Sequence, residues 1–391
     1  STTNAAVCTP AIVGQSNVAV TMGYTCNNPS TCQSGNYLNV NATGVPSTGG
    51  SVSLNFDANG ASQLSLRYDD VGQITLSANR AQTPVSGGTS VTLSGASNAF
   101  VVRPSTLTVS AVNATATTAR PAGGLVKAGE PFSATVTAQN ALGSTTPSFG
   151  KEGASVLLTP SLVTPATGNN PAISNGTIPG SEFGSTGMSN DANGVARVTN
   201  LSWTEVGSIT LTPTLSDYLG TGALTGTASA TVGRFYPNHF AVSGTPSVTP
   251  TCGFAYFGQS NAVAVSAVVE ARNLADARTQ NYATGYAGML ASLALVGADS
   301  VNGTDQSSRL TQLACSWSSG QCSLSGSTAV AKSTATPSSP DNPFAALQLG
   351  LKITVSTDGA NFNSLTMNPA TAGSCSAAGT CNAQAIGSAF R

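Results

Sequence analysis

Side chains able to move protons, attack a substrate or hold a metal are sparse in this chain. His239 is the only histidine, and it stands in Gly233-Arg234-Phe235-Tyr236-Pro237-Asn238-His239-Phe240, a run unusually rich in rings for a chain that is 6% aromatic. No Gly-x-Ser-x-Gly elbow or cysteine–histidine arrangement accompanies it, so a histidine bonded to an adjacent loop is expected rather than a catalytic one. A glycosidase needs two carboxylates facing one cleft, and the 15 Asp and Glu are dispersed, often in turns. Asp57-Ala58-Asn59-Gly60 and Asp191-Ala192-Asn193-Gly194, with Asp69 and Asp70 near the first, could offer oxygens to calcium. Their spacing is not that of an EF-hand, however, and Asp-x-Asn-Gly is an ordinary turn sequence. Lys127, Lys151, Lys332 and Lys352, with Glu130 and Glu152 near the first two, supply residue types for a lysine–asparagine isopeptide, but no spacing selects a trio. Trp203 shares a face with Leu201 and is expected in a core. Trp317, inside a cysteine loop, is the better candidate for an exposed ring that stacks on sugar. No catalytic residue, cofactor or metal centre is expected.

Eight cysteines remain to be placed. Cys26 and Cys32, Cys315 and Cys322, and Cys375 and Cys381 form three pairs close in sequence, each spanning a loop of turn-forming residues. Without CxxC pairs, and with one imidazole, zinc is a poor fit. Three short disulfides are expected, and with them an oxidising, extracytoplasmic compartment. Cys8 and Cys252 are left over, and sequence alone does not choose among the possible connectivities.

The elements carrying these residues are strands. Period-two alternation recurs and helical periodicity is nearly absent. Val18, Val20, Met22 and Tyr24 share one face, as do Val52, Leu54 and Phe56, and Leu64, Leu66 and Tyr68. Further along come Phe132, Ala134, Val136 and Ala138, then Val263, Val265, Ala267 and Val269, then Leu347, Leu349, Leu351, Ile353 and Val355. One apolar and one polar face fit antiparallel sheets packed as sandwiches. The one plausible helical turn is Asp341-Asn342-Pro343-Phe344. Charged residues make up 7% of the chain and hydrophobic ones 40%, which argues against disorder. The 14 Lys and Arg form no basic stripe for nucleic acid. No apolar run approaches the roughly 18 residues of a membrane span. Starting at Ser1, the chain reads as an excised piece of a larger precursor.

Internal repeats give the organisation. Cys8 and Gly14-Gln15-Ser16-Asn17 match Cys252 and Gly258-Gln259-Ser260-Asn261 in spacing. Val71-Gly72-Gln73-Ile74-Thr75-Leu76 matches Val206-Gly207-Ser208-Ile209-Thr210-Leu211, each preceded by an Asp-Ala-Asn-Gly segment. The stretch from Ala134 to Asn140 resembles that from Ala267 to Asn273, and each reaches an aromatic, Phe149 or Tyr282, about one strand later. Three Ig-like antiparallel β-sandwich modules in series are expected, over residues 1–104, 105–235 and 236–391. The boundaries carry Arg103-Pro104 and Tyr236-Pro237, which should stiffen them. Arg234, Phe235, Tyr236, Pro237, His239 and Phe240 form the expected inter-module junction, with Phe235, Tyr236 and Phe240 partly buried between modules two and three.

The block from Gly233 to Phe240, followed by Cys252, Phe254-Ala255-Tyr256-Phe257-Gly258-Gln259, Ala271-Arg272-Asn273 and Asn281-Tyr282-Ala283, resembles the opening of the large C-terminal domain of MshQ-like proteins. These are surface proteins associated with MSHA-type type IV pili. The preceding module, with Ala128-Gly129-Glu130-Pro131-Phe132 and Glu205-Val206-Gly207-Ser208-Ile209, is similar to bacterial Ig-like modules upstream in such proteins. The resemblance covers residues 105–391 well and 1–104 loosely. It implies an extracellular stalk or tip part of a pilus-associated adhesin of a Gram-negative bacterium, mediating surface attachment without catalysis. Its implied partners are pilus or other cell-surface components, glycans or abiotic surfaces, with neither nucleic acid nor membrane insertion. Family members usually carry a lectin-like jelly roll further upstream, which is not in this sequence. A carbohydrate-binding module and a self-assembling filament subunit stay open as alternatives; the latter calls for an alternating apolar donor strand, which Ser1-Thr2-Thr3-Asn4-Ala5-Ala6-Val7 does not resemble.

Overall fold

The computed structural model describes residues 12–82, 89–112, 126–184, 193–286, 290–299, 304–332, 341, 347–355 and 383–389. Every strand pairing among them is antiparallel except one short parallel pair, and the only helices are two 3-10 turns.

The first sandwich contains β1 (Val18–Asn28), β2 (Leu38–Val40), β3 (Thr43–Val45), β4 (Gly50–Leu54), β5 (Leu66–Tyr68), β6 (Gly72–Gln82), β7 (Val91–Ala96) and β8 (Phe100–Val102). One sheet runs β4-β1-β6-β7, with β8 also on β6, and faces a small sheet β3-β2-β5. The alternating residues Val18, Val20, Met22 and Tyr24 of β1 meet Leu38, Val40 and Val45 of the small sheet in one core. Leu66, expected on the apolar face, is exposed: β5 has only three residues and lies at the sheet edge, where little remains to cover it.

The second sandwich contains β9 (Thr106–Val112), β10 (Val126–Lys127), β11 (Phe132–Gln139), β12 (Val156–Thr164), β13 (Thr177–Ile178), β14 (Val195–Leu201), β15 (Gly207–Leu215), β16 (Leu224–Thr225) and β17 (Val232–Tyr236). The sheet β14-β11-β9 faces β10-β17-β15-β12-β13, with β16 on β15. Phe132, Ala134, Val136 and Ala138 point alternately inward from β11 and close the core with Trp203, Phe149 and Phe235.

The third sandwich contains β18 (His239–Pro250), β19 (Val263–Arg272), β20 (Ser292–Asp299), β21 (Trp317–Ser318), β22 (Gln321–Thr328), β23 (Leu347–Val355) and β24 (Ala383–Ala389). Sheet β18-β19-β22-β21 faces β20-β23-β24, and the alternating residues of β19 and β23 meet in its core. Trp317, expected to be exposed, is 5% exposed. It lies 4.9 Å from the Tyr282 ring and 5.3 Å from that of Phe240, and donates to the Ala291 carbonyl at 2.7 Å. The Cys315–Cys322 bond holds β21 against β22, so the ring is turned inward instead of being held out on a loop.

Cys26 is bonded to Cys32 as well. Cys8, Cys375 and Cys381 lie outside the described residues, as do Asn342, Pro343 and Phe344 of the expected helical turn and the side chain of Val355. Cys252 is exposed and unbonded.

Candidate functional site

Of the groups followed in the sequence as possible chemistry, Asp69 and Asp70 stand at one of two joints between modules, and the two joints are built alike. Each starts from the acid–Val–Gly triplet that opens a long strand: Asp70-Val71-Gly72 before β6 and Glu205-Val206-Gly207 before β15. Each is received by the loop that follows the corresponding strand of the next module, β11 or β19. There an asparagine folds the chain back. The Asn140 Oδ1 accepts from the N–H groups of Leu142 and Ser144, and the Asn273 Oδ1 from those of Ala275 and Ala277. Asparagine suits this because its side chain reproduces a backbone turn.

The same two asparagines reach across. Asn140 Nδ2 donates to the Asp69 carbonyl at 2.9 Å, and Asn273 Nδ2 to the Thr204 carbonyl at 2.9 Å. The acid beside each carbonyl then takes donors from further along the receiving loop. Asp70 accepts from the Ser148 N–H at 2.9 Å and from the Ser148 hydroxyl at 2.7 Å. Glu205 accepts from the backbone N–H groups of Gln280 at 2.8 Å and Asn281 at 3.1 Å, and from Asn169 Nδ2 at 3.1 Å. Both acids are 1% exposed. Val71 is buried in the core of the second sandwich and Val206 in that of the third, each contributed by the preceding module. Apolar burial thus supplies attraction and the buried hydrogen bonds fix the geometry.

Glycine is required at the third position of each triplet. Gly72 and Gly207 have φ of 121° and 124°, and a Cβ would collide with the carbonyl oxygen of Asn28 or Thr164. The second joint carries further bonds. Asn169 and Asn281 bond reciprocally at 2.8 Å each, and the Leu274 N–H donates to the Ala128 carbonyl at 2.9 Å.

The electrostatics follow from burial. Desolvation is the main influence on Asp70 and raises its pKa, with the hydrogen bonds from Ser148 opposing it. Burial likewise raises Glu205, opposed by the donors from Val206, Asn169, Asn281 and Gln280. Beside Asp70, Glu152 is also raised by burial, and burial then Glu152 raise Tyr218.

The expected junction at 234–240 is distributed differently. Phe235 belongs wholly to the second core, edge-on to Phe132 at 5.4 Å and Trp203 at 5.2 Å, and Phe240 belongs wholly to the third. Neither is partly buried between modules: β17 and β18 run out of one sandwich into the next, so neighbouring residues serve different cores. Tyr236 is half-buried on the third core and Pro237 is buried. Arg234, 2% exposed, lies 5.6 Å from the Tyr286 ring centre, and the Tyr286 hydroxyl donates to the Phe235 carbonyl at 3.1 Å. His239 places Nε2 3.0 Å from Asp276 and Nδ1 3.1 Å from the Asn238 side-chain oxygen, a loop-holding role.

Asp57 caps its own turn, its Oδ1 accepting from the N–H groups of Asn59 and Ala61, and Asp69 pairs with Arg67 at 2.7 Å. Among the described residues no three His, Cys, Asp or Glu side chains gather as a metal site, and no helix is long and apolar enough to cross a membrane.

Three family models match in order. Residues 1–96 match the domain of unknown function DUF6701, first Ig-like domain; residues 103–197 its second domain; and residues 205–382 its third. The chain belongs to the DUF6701 family. The third model opens at Glu205 itself, so its first stretch, β15 to β17, contributes strands to the second sandwich. A comparison with curated proteins finds no match. Among solved structures, Salmonella alpha-2-macroglobulin reacted with methylamine is 11% identical, with 86% of this chain and 20% of that one covered and a TM-score of 0.19. The chain therefore spans about a fifth of that protein. An aspartate-to-alanine variant of BcpA, the major pilin subunit of Bacillus cereus, is 10% identical, with 88% and 93% covered and a TM-score of 0.19. Superpositions this poor carry no argument about fold or role.

The joint residues were partly legible. The repeated Val-Gly-x-Ile-Thr-Leu and the repeated strand ending in Asn mark both halves, but the acid before each Val-Gly was the missed signal.

Proposed function

We propose that this DUF6701 chain is an extracellular, non-catalytic stalk segment of a surface-attachment protein, and more narrowly of an adhesin associated with MSHA-type type IV pili. The observation that carries the reading is the joint built twice from the same parts: a buried acid, a valine and a glycine from one module, received by an asparagine loop of the next. A stalk has to hold its far end away from the cell, and joints fixed by buried hydrogen bonds do so with less entropic loss than a flexible Gly-Ser linker. The two short disulfides suit an oxidising compartment. The MSHA-type assignment rests on the resemblance of the block from Gly233 to Asn273 alone.

The test is surface labelling of intact cells of the source organism with antibody against this chain, beside an attachment assay on an in-frame deletion. The reading expects labelling before lysis and reduced attachment on deletion. Labelling only after lysis, or unchanged attachment, would contradict it. Co-purification with sheared pili tests the narrower assignment.

A further inference from the structure

Among the described residues, β7 is an edge strand of the larger sheet of the first sandwich. β7 pairs with β6 along one side, and no described strand pairs with the other. All six residues, Val91-Thr92-Leu93-Ser94-Gly95-Ala96, are exposed. Neither a charge nor a proline interrupts them, although these are ordinary devices for blunting an edge strand. Beside β7 the sheet face opens into a groove of about 180 Å³, lined by Ile12, Val20, Phe56, Ala78, Leu93 and Arg80 among others. Val20 belongs to the sandwich core and Ile12, Phe56 and Ala78 pack against it, so the groove continues the core-facing side of the sheet toward β7. Arg80 is the one charged residue of the lining. Its Nη1 is buried without a hydrogen-bond partner, and a buried donor left unpaired costs free energy that an incoming anion would recover.

We propose that the free edge of β7 and this groove form a docking site for an extended segment of a partner protein. The segment adds to β7 as a further strand, seats apolar side chains against Ile12, Phe56 and Leu93, and presents one Asp or Glu to Arg80. Main-chain bonds along the edge give affinity, and the groove with its guanidinium gives selectivity, as in other strand-addition complexes. An edge of six residues calls for a segment of about that length, with apolar residues at every second position. The site does not depend on the stalk reading.

The test pans a phage-displayed library of random hexapeptides on the whole chain, with Arg80→Glu and Leu93→Lys as comparison proteins; Leu93 is exposed and Arg80 half-buried, and melting curves check folding. Enriched peptides are expected to alternate apolar residues around one acid. They should bind Arg80→Glu at least tenfold more weakly, regain affinity for it when their acid becomes Lys, and slow hydrogen exchange at β7 amides. No enrichment, enrichment without an acid, equal affinity for Arg80→Glu, or protection elsewhere would overturn the proposal. So would a wild-type dimer in sedimentation that Leu93→Lys dissociates, since that assigns the edge to a second copy.

Discussion

At the first joint the acid is bonded to one residue, and at the second to four. Asp70 spends both oxygens on Ser148. Glu205, one methylene longer, reaches two backbone N–H groups of the third module, and the Asn169 amide and Val206 N–H within its own. Around Asp70 the remaining contacts fall to aromatic hydroxyls and a second acid. The hydroxyls of Tyr24 and Tyr218 and both Glu152 oxygens are buried without a hydrogen bond of good geometry. One backbone plan therefore gives a saturated joint and an under-satisfied one. The difference teaches that the asparagine loop and the glycine make the joint, whereas the acid sets how firmly it is held.

The largest effect should come from removing the acids. Glu205→Ala strands three backbone donors and one amide, and at about 1–3 kcal/mol for each unsatisfied buried group it should cost about 3 kcal/mol or more. Asp70→Ala strands the donors of a single residue and should cost about 2 kcal/mol. Urea titrations followed module by module check the order; an equal loss at both joints would dissolve the comparison.

Glycine substitutions should erase the difference, because that part of the plan is shared. Gly72→Ala and Gly207→Ala both force a side chain into left-handed backbone against a carbonyl oxygen, and each should cost about 2 kcal/mol. Thermal melts of the two variants should agree closely. Asn140→Ala and Asn273→Ala come next, at about 1–2 kcal/mol, since each removes one bond across the joint along with the loop's own turn.

The smallest effect is on pH dependence. Burial raises Asp70, Glu152 and Glu205 above their ordinary values. An acid with a higher pKa folded than unfolded binds its proton more tightly when folded. Its contribution is full below the unfolded value, roughly pH 4, and is lost as pH rises through the folded one. Stability should therefore fall from mildly acidic toward neutral pH. The slope should be steeper at the first joint, which holds two such acids, and Asp70→Asn should flatten it. Melting temperature against pH measures this, and an opposite slope would reverse the assignment.

Much of the sandwich architecture was legible because alternation reports directly on which face is buried, as β1, β11 and β19 do. Leu66 and Trp317 were misread for opposite reasons: a strand too short to be covered, and a disulfide that turned a loop residue inward. The expected sharing of Phe235 and Phe240 between modules was misread because aromatics announce burial without saying in which core. The real contacts use backbone N–H groups and asparagine amides, which look like ordinary turns until the fold brings Asp70 to Ser148 and Glu205 to Asn281.

Small-angle X-ray scattering of the whole chain against the Asp70→Ala/Glu205→Ala double variant tests most directly that these acids hold the modules at fixed angles. The wild-type profile should fit a single conformer. The double variant should need an ensemble with a broader range of maximum dimensions, while its circular dichroism stays that of folded sandwiches. Superimposable profiles from the two proteins would contradict the account.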